Sequence, residues 1–547
     1  MSRYYVTTPL YYVNDKPHIG HAYTEIAADT VARYRRFKGD EVFFLTGTDE
    51  HGQKIEQAAK KVGMSAKDFA DQVVPQFLEV WKRLDISYDY FLRTTEERHI
   101  RTVQKVLSIL FEKQDIYLSE YSGWYCIPCE TFWTETQLEQ QKQEARSKKQ
   151  ENTEGIIVCL DCKRPIEEIT EKNYFFRLSK YQQWLIDYIQ SHPKFIQPST
   201  RREETLSFLK QPLNDLCISR PKERLEWGIP IPFSDNHVTY VWFDALVNYI
   251  SGVDYLDYLN SRLTTYDSRL FLKFWPADLH LIGKDILRPH AVYWPIMLHA
   301  LGMEPPKQVF VHGWWTIQEE KISKSKGNRV DPIDVCGRYG VDVFRYFLLR
   351  EVTFGLDGAY SETALTLRFN SDLANDLGNL FHRSLTMVEK YFDGKVPQIR
   401  QRDDGRGTKD EKEYIPEDLV KLLQTLPERL DQAMEGLDFA RALSAIWECI
   451  NRANKLIEET KPWVLDKEKD RKGLSQIIYF LVDLLRVITL AVAPFMPQAA
   501  AKMWKQLNLS SRLEAMSFQD LALGKTIGGF LVNKGEPLFP RLEVKKG

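Results

Sequence analysis

The chain has 547 residues, of which 43% are hydrophobic and 12% aromatic, and its 74 Lys and Arg nearly balance its 76 Asp and Glu. This length exceeds the roughly 250–300 residues at which a single core stops growing, so we expect three or four structural units. The balanced charge excludes a protein coated with basic residues, although a large enzyme needs only a local basic surface to bind RNA.

The sequence has the features of a soluble, cytoplasmic protein. Its N-terminus, MSRYYVTTPLYYVND, has no cationic start followed by an apolar run and therefore predicts no secretory signal. The longest apolar stretch, Ile477 to Ala493, carries Asp483 and Arg486 near its middle, which predicts a buried helix rather than a membrane span. Four of the seven cysteines form two Cys-x-x-Cys pairs, and this spacing favours metal binding in a reducing compartment over disulfides.

Strand and helix patterns alternate in the N-terminal part of the chain. A strand-like segment from Tyr4 to Thr8 precedes a loop and the helix-compatible sequence HAYTEIAADTVARYRRF. The next apolar run, EVFFLTGTDEHG, ends in glycine and titratable residues, as a buried parallel strand does where its carboxyl end meets a ligand. Residues 118–225 interrupt the alternation, which returns with the strand-like segments DLHLIG and QVFVHG.

This order predicts a Rossmann-type parallel-sheet α/β domain that is split by an insertion and followed by an α-helical bundle. Apolar residues at steps of three and four between Phe439 and Leu456 predict a long amphipathic helix in that bundle. The predicted units, in chain order, are a first α/β half at 1–117, the insertion at 118–225, a second α/β half at 226–330, a linking region at 331–365, the bundle at 366–510 and a C-terminal tail at 511–547.

A first short motif, Pro17-His18-Ile19-Gly20-His21, is predicted at the start of the first helix. Its two imidazoles lie on one side of the first turn, where unpaired N–H groups and the helix dipole favour anions. Gly20 lets a flat group come close to the backbone. A loop with two ordinary polar histidines is the alternative interpretation.

A second motif, Lys321-Ile322-Ser323-Lys324-Ser325, lies beyond the last predicted α/β strand. Taken alone, its lysines are typical of a solvated, charged turn. The two motifs together, in this order, resemble the HIGH and KMSKS motifs of class I aminoacyl-tRNA synthetases. A non-catalytic tRNA-binding protein descended from a synthetase is a further alternative, but the intact histidines and lysines argue against it.

The resemblance implies an enzyme that uses ATP with Mg²⁺ to activate an amino acid and then transfers it to tRNA. A carboxylate attacks the α-phosphate and pyrophosphate leaves, so positioning and positive charge supply most of the catalysis and no protein nucleophile is needed. The catalytic residues would be His18, His21, Lys321 and Lys324. ATP would be bound by His18, Gly20, His21, Lys321, Ser323, Lys324 and Ser325.

Longer runs resemble the methionyl-tRNA synthetase family, namely TTPLYYVNDKPHIGH, FLTGTDEHG, YVWFDAL, HLIGKDILRPHAVYWP and HGWWTIQEEKISKSKGN. They imply activation of L-methionine and charging of initiator and elongator tRNA(Met), for translation initiation and elongation. A polarizable thioether suits aromatic walls, although each aromatic residue alone is more typical of a core. Leu246 departs from the family, many members of which have proline there. The implied methionine-binding residues are Leu10, Tyr12, Asp49, Trp242, Ala245, Tyr249, Ile286 and His290, with Asp49 binding the ammonium group.

The insertion contains the pairs Cys126-x-x-Cys129 and Cys159-x-x-Cys162, whose spacing predicts one closed, structural Zn²⁺ site, a zinc knuckle. Four reduced thiols are the alternative. A cysteinyl ligase of the same class would need its metal inside the substrate pocket, whereas these cysteines lie in the insertion. Cys217, Cys336 and Cys449 have no partner spacing and are expected to be ordinary buried residues.

Three bundle residues are implied to bind the tRNA anticodon. Asn379 and Arg383 are four apart on one predicted helix face. Pro462 should end the preceding helix and leave Trp463 at a helix edge, where it could stack on an unpaired base. A helix-surface pair and a core tryptophan are the alternative. The chain ends at Gly547 without the basic extension of some relatives, which predicts a monomer.

Overall fold

The computed structural model describes residues 2–126, 131–133, 157–159, 164–260, 269–317, 320–321, 330–399, 414–526 and 528–542. Its strands are β1 (Arg3–Thr7), β2 (Tyr11–Tyr12), β3 (Glu41–Asp49), β4 (Tyr90–Arg93), β5 (Ile116–Cys126), β6 (Thr131–Trp133), β7 (Glu167–Phe176), β8 (Ile196–Gln197), β9 (Leu216–Cys217), β10 (Ser219–Pro221), β11 (His237–Thr239), β12 (Leu279–Gly283), β13 (Val309–His312), β14 (Trp315–Ile317), β15 (Glu320–Lys321) and β16 (Gly358–Tyr360).

The α-helices of the first part are α1 (Ile19–Phe37), α2 (Gln53–Lys61), α3 (Ala66–Arg83), α4 (Glu97–Glu112), α5 (Gln182–Ser191), α6 (Ser199–Phe208), α7 (Val241–Leu246), α8 (Asn248–Ser251), α9 (Tyr255–Asn260), α10 (Arg269–Phe274) and α11 (Trp294–Leu301). Those of the second part are α12 (Pro332–Tyr339), α13 (Val341–Arg350), α14 (Glu362–Arg368), α15 (Asn379–Phe392), α16 (Glu417–Glu435), α17 (Phe439–Thr460), α18 (Pro462–Lys467), α19 (Arg471–Val492) and α20 (Pro497–Leu507). Two π-helical segments, Pro289–Tyr293 and Phe369–Gly378, precede α11 and α15.

A seven-stranded parallel sheet forms the centre of the α/β part, in the order β2-β3-β1-β12-β13-β8 with β4 beside β3. Its interior strands are continuous apolar runs because helices cover both faces. The predicted strands β1, β3, β12 and β13 are confirmed, and so is the parallel-sheet α/β fold with a helical C-terminal part.

The central sheet is built from two stretches of sequence. Strands β1 to β4 precede the antiparallel sheet β6-β5-β7-β9, and β12 and β13 follow it. The short strand β8, from within residues 118–225, pairs with β13 and extends the edge of the central sheet. Residues of the predicted insertion therefore contribute to the central sheet as well as to the antiparallel one.

Strand β1 marks the point where the order of the central sheet reverses. Along the chain, β1 connects through α1 to β3 on one side, while its other neighbour, β12, continues away from it to β13. A crevice therefore opens between the carboxyl ends of β1 and β12, the usual ligand position in sheets of this kind. Thr8, Gly283 and His312 lie at these strand ends.

Helix α19 occupies the middle of the C-terminal bundle. It is the one helix of the described chain that is long and apolar enough to cross a bilayer, but 78% of its apolar window is buried inside the protein. Arg486 on α19 binds Asp483 at 2.8 Å and Thr526 at 3.2 Å. The two charged residues of this helix therefore help to pack the C-terminal segment. The prediction of a buried helix is confirmed, as is the long amphipathic helix α17.

A fully buried ion pair joins the α/β part to the bundle. Arg345 of α13 donates through Nη2 to Asp29 of α1 at 2.6 Å, and neither side chain is exposed. Its other N–H groups donate to the carbonyls of Leu84, Pro494 and Phe495 at 2.9–3.2 Å. Burial alone would raise the pKa of Asp29, but Arg345 and Arg33 lower it below its ordinary value.

Replacing Asp29 by Asn should destabilise the protein by about 3–5 kcal/mol, because the Arg345 charge is left buried without its partner. A urea denaturation curve measures this loss. Since the pKa of Asp29 is lowered, the carboxylate stabilises the fold above its unfolded pKa and stops doing so as the pH falls through its folded pKa. The difference in free energy of unfolding between the parent protein and Asp29→Asn should therefore become smaller in acid.

The matched control is Glu97→Gln, which removes the partner of Arg101 in a pair whose side chains are 65% and 69% exposed. Exposed pairs contribute less than about 1 kcal/mol. Equal midpoints for Asp29→Asn, Glu97→Gln and the parent protein would contradict the importance of the buried pair.

Candidate active site

The first motif forms the amino-terminal cap of α1. The Nδ1 atom of His18 accepts a hydrogen bond from the backbone N–H of Gly20 at 3.1 Å, and that of His21 accepts from the N–H of His18 at 3.3 Å. The two rings stack with their centroids 3.8 Å apart. Because both Nδ1 atoms accept, each imidazole carries its hydrogen on Nε2, the ring nitrogen directed away from these backbone bonds.

Gly20 is required by the closeness of the cap. A Cβ atom at this position would lie 2.9 Å from Cε1 of His18, closer than real Cβ contacts. The site therefore combines a helix amino-terminus, two imidazoles and an open backbone, which are the features that favour a phosphate group.

The second motif starts in strand β15, and the chain after it returns to the first turn of α1. Lys321 pairs with Thr316 in the antiparallel ladder of β14 and β15. Val330, just after the motif, accepts a hydrogen bond from the N–H of Ile19 at 3.3 Å. The end of the lysine segment is thus held at the first turn of α1, and its start is held in the ladder of β14 and β15. Ser323, Lys324 and Ser325 lie outside the described residues.

Two acidic residues at the end of β3, Asp49 and Glu50, have different surroundings. Glu50 is fully buried and accepts from Arg93 through both Nε and Nη2, at 2.7 and 2.8 Å, as well as from Thr48 and Thr95 at 2.7 Å. Asp49, 2% exposed, lies directly opposite Tyr12 in the β2–β3 ladder. Asp49 therefore lies at the carboxyl end of β3 beside β2, while Glu50 anchors the strand end.

The predicted methionine residues are brought together in two connected groups. In the first group, Tyr12 meets Trp242 edge to face at 6.4 Å. Leu10 packs over Gly47 of β3, where a Cβ would lie 2.9 Å from Leu10 and 1.9 Å from the carbonyl oxygen of Leu92. Gly47 is therefore needed for this close approach.

Tyr249 and His290 form the second group of the pocket. Tyr249 contacts Nε2 of His290 through its hydroxyl at 2.7 Å, and Nδ1 of His290 contacts the carbonyl of Ile286 at 2.9 Å. Trp242, Ala245 and Tyr249 follow one another at steps of three and four on α7 and α8, so this face joins the two groups.

The direction of these hydrogen bonds is determined by the carbonyl. Burial lowers the pKa of His290 to about 4, so the ring is neutral at pH 7. Its hydrogen must be on Nδ1, since the Ile286 carbonyl can only accept. Nε2 then accepts from the hydroxyl of Tyr249, whose pKa burial raises well above its ordinary value. The hydroxyl hydrogen of Tyr249 is donated to His290 and the Nδ1 hydrogen of His290 to the carbonyl of Ile286, which suits an apolar side chain in the pocket.

One buried hydrogen-bond network was not predicted from the sequence. Asp244 of α7 binds Nδ1 of His51 and Nε2 of His99, each at 2.7 Å, and His99 binds Ser251 at 2.7 Å. Burial alone would raise the pKa of Asp244, but the two histidines lower it. The signal was an aspartate inside the apolar run YVWFDALV, because a buried acid requires partners. Arg220, which lies 4.4 Å over the ring of Tyr240, was also missed.

Two of the four predicted zinc ligands fall within the described residues. Cys126 and Cys159 are fully buried in one small cluster with Trp124, Ile157 and Ile166. Cys129 and Cys162 lie outside the described residues. In the part of the chain that is described, no group of three or more His, Cys, Asp or Glu is placed to hold a metal ion. Cys217, Cys336 and Cys449 are buried, as predicted.

The predicted anticodon residues lie at one end of the bundle. Asn379, exposed, begins α15 directly after the longer π-helical segment, and Arg383 follows one turn later. Arg383 binds Glu458 of α17 at 2.8 Å. Helix α17 ends at Thr460, Lys461 is left-handed (φ 44°), and Trp463 is 37% exposed at the start of α18. The predicted helix break and the exposure of Trp463 are confirmed.

Two known families match successive parts of the chain. The family described as tRNA synthetases class I (M) matches residues 4–385. The family described as anticodon-binding domain of tRNA ligase matches residues 417–525, which cover α16 to α20.

Similar proteins match the chain over nearly its whole length. The methionine–tRNA ligase of Caldanaerobacter subterraneus subsp. tengcongensis is 48% identical over 99% of this chain and 79% of its own. That of Bacillus subtilis is 43% identical over 99% of this chain and 78% of its own. The structure of Mycobacterium tuberculosis methionyl-tRNA synthetase in complex with methionyl-adenylate is 39% identical and superposes with a TM-score of 0.88, covering 99% of this chain and 100% of the other.

Proposed function

The chain belongs to the methionine–tRNA ligase family of class I aminoacyl-tRNA synthetases, and from this premise we propose the roles of its residues. As a methionine–tRNA ligase it activates L-methionine with ATP to methionyl-adenylate and pyrophosphate, then charges tRNA(Met). Service to both initiator and elongator tRNA is part of the proposal.

The observation that supports the catalytic assignment is the hydrogen bond between Ile19 of the first motif and Val330, just after the second. His18 and His21 direct Nε2–H groups away from the backbone cap, and Val330 ties the end of the lysine segment to Ile19. In the proposed site His18, Gly20 and His21 bind the phosphates from the helix side. Lys321, Ser323, Lys324 and Ser325 bind them from the other side, with Mg²⁺ accompanying ATP as part of the substrate.

In the activation step, a methionine carboxylate oxygen forms a bond to the α-phosphorus and the bond to pyrophosphate breaks. Negative charge accumulates on the leaving phosphates, where the two histidines and the two lysines, Lys321 and Lys324, would stabilise it. No proton transfer to the protein is needed. The catalytic contribution is therefore orientation and charge rather than covalent chemistry.

The methionine pocket is assigned to the two connected groups described above. Asp49 would bind the ammonium group, since it is an almost fully buried carboxylate at the end of β3. Tyr12, Trp242 and Tyr249 would contact the thioether, a polarizable group that favours aromatic surfaces. Leu10, Ala245, Ile286 and His290 would complete the wall. The internally bonded Tyr249–His290 pair disfavours polar side chains, which would find no matching hydrogen there.

We also propose one structural Zn²⁺ held by Cys126, Cys129, Cys159 and Cys162. The support is that Cys126 and Cys159, one from each Cys-x-x-Cys pair, meet in the same buried cluster. Four thiolates in a closed set suit tetrahedral zinc, which would tie strand β5 to the segment before β7. The metal would supply folding energy to this region rather than chemistry.

For tRNA recognition, Asn379, Arg383 and Trp463 are assigned to the anticodon, with residues 331–365 contacting the stem. The support is their position at one end of the bundle, where Trp463 offers an exposed aromatic face and Arg383 a cation. Unpaired bases are read by stacking and by bonds at their edges. We further propose that the protein is a monomer and that it works in the cytoplasm. Its domains are proposed to have the limits predicted from the sequence.

The purified protein should catalyse ATP–pyrophosphate exchange strongly with methionine and feebly with leucine or cysteine, because the pocket is apolar, aromatic and closed by the Tyr249–His290 pair. A panel of all twenty amino acids in the exchange assay decides this. Comparable exchange with cysteine would overturn the assignment.

In the variant Lys324→Ala, methionine-dependent exchange should be slower by about 10²–10³-fold with little change in methionine binding.

The zinc proposal predicts about one Zn²⁺ per chain in elemental analysis of the purified protein. Cys126→Ser should lower the metal content because one of four ligands is lost. Cys217→Ser is the matched control, since Cys217 is also buried but outside the cluster. Metal-free protein with full activity would show that the four cysteines are only thiols.

Trp463→Ala should leave methionine-dependent exchange near that of the parent protein and reduce aminoacylation by at least about 10-fold. A lost stacking partner costs about 1–3 kcal/mol per base, and the activation site lies in the other part of the chain. Both assays are performed on one preparation.

Trp463→Phe is the matched control, because it keeps an aromatic face and should restore most of the aminoacylation rate. Equal losses in the two assays would mean that Trp463 supports the fold of the bundle. Unchanged aminoacylation of Trp463→Ala would remove it from anticodon recognition.

A further inference from the structure

Glu25 lies on the buried face of α1, one turn beyond His21, and has no place in the chemistry above. Its Oε1 atom is 2.9 Å from the hydroxyl of Thr8 and 2.5 Å from that of Thr46. The two hydroxyls are themselves 2.8 Å apart. All three side chains are fully buried. Three oxygen atoms thus form a closed triangle in which every side is a hydrogen-bond distance.

The triangle can be tested by counting hydrogens. Three hydrogen bonds need three hydrogens, and the hydroxyls of Thr8 and Thr46 supply one each. With an ionised Glu25, one side of the triangle would bring two lone pairs together. With a protonated Glu25, Thr8 donates to Thr46, Thr46 donates to Glu25, and Glu25 donates to Thr8. All three sides are then hydrogen bonds, so the geometry favours the neutral acid.

The surroundings of Glu25 also disfavour its negative charge. Asp29, one turn further along α1, is an acid, and the groups facing from β2 and from the segment before β4 are the phenols of Tyr11 and Tyr88. From β13, His312 binds the neighbouring Thr24 at 2.8 Å, and burial lowers its pKa, so it is neutral. Burial has the largest effect and raises the pKa of Glu25 to about 7, although hydrogen bonds from Thr46, Thr8 and Tyr11 lower it.

We propose that Glu25 is a positioning residue that works in its neutral form, as the proton source that closes a hydrogen-bonded triangle with Thr8 and Thr46. The triangle joins three parts of the site. Thr8 starts the segment that leads through Leu10 to Tyr12 of β2, Thr46 lies on the strand that ends at Asp49, and Glu25 is on the helix capped by His18. Loss of the Glu25 proton should loosen the segment that carries Leu10 and Tyr12 from strand β3.

The consequence for catalysis is a specific dependence on pH. When Glu25 ionises, one side of the triangle repels, and the loop bearing Leu10 and Tyr12 shifts relative to Asp49. The KM for methionine should then rise, while kcat changes less because the phosphate-binding groups are unaffected. The neutral isostere Glu25→Gln keeps a donor at the same position and cannot ionise, so it should hold the loop at every pH.

The experiment measures methionine-dependent ATP–pyrophosphate exchange from about pH 6 to pH 8.5 for the parent protein and Glu25→Gln. The ratio of their KM values for methionine removes the titration of methionine itself. We expect the KM of the parent protein divided by that of Glu25→Gln to be near one at low pH. At high pH this ratio should rise about 3-fold or more, with little change in kcat. A ratio that does not vary with pH, or a Gln variant impaired at every pH, would overturn the proposal.

The pH dependence of stability is a second way to measure the protonation of Glu25. The unfolded chain releases it near the ordinary glutamate pKa of about 4.3, whereas the folded protein keeps it to about pH 7. The parent protein therefore loses stability relative to Glu25→Gln as the pH rises between these values. Asp342→Asn is the matched control: burial raises the pKa of Asp342 to about 6, but it binds the backbone N–H of Ala499, far along the chain from the triangle. It should change stability with pH and leave the KM for methionine alone.

If Glu25→Gln fails to fold, infrared spectroscopy of the parent protein labelled with ¹³C-glutamate decides the question. A protonated glutamate carbonyl band should persist near pH 6, where ordinary glutamates are ionised, and titrate away near pH 7. The label separates it from Asp342. Absence of the band near pH 6 would overturn the proposal.

Discussion

The arrangement of the whole molecule depends on one buried ion pair, Asp29 with Arg345. Neither side chain reaches water, and the arginine uses its remaining N–H groups on three backbone carbonyls, two of them in the turn between α19 and α20. A buried guanidinium is tolerable only when a charge and several acceptors surround it together. The pair therefore holds helix α1 against α13 and the turn between α19 and α20.

The same helix meets the bundle again at its carboxyl end. Tyr34 donates to Asp431 of α16 at 2.5 Å, Lys38 binds the same carboxylate, and Arg35 binds Glu435 at 2.8 Å. These contacts are partly exposed and individually weak, so they refine the position that the buried pair determines. Helix α1 thus carries the histidine cap at its amino end and contacts the bundle at its carboxyl end.

Sequence patterns predicted the local features of this molecule and missed the distant pairs. Alternation of strands and helices, the histidine cap and the break before Pro462 are encoded by neighbouring residues, so they could be predicted. Asp29 and Arg345 are 316 positions apart, and the links of Asp244 to His51 and His99 span 193 and 145 positions. No spacing rule connects such residues. Only the requirement that a buried acid must have partners would have identified them, and that requirement does not name the partner.

Glu25 and Asp29 show why sequence does not determine the charge of a buried acid. They are one turn apart on the same buried face of α1, and both are fully enclosed. Asp29 faces Arg345 and Arg33, and these cations lower its pKa, so it stays ionised. Glu25 faces hydroxyls, phenols and Asp29 itself, and burial raises its pKa. The ionised acid joins two domains by charge, whereas the neutral acid joins strand, loop and helix by a hydrogen that only its protonated form can donate. Two acids of similar chemistry therefore stabilise the site by opposite means, and the difference arises from partners supplied by distant parts of the chain.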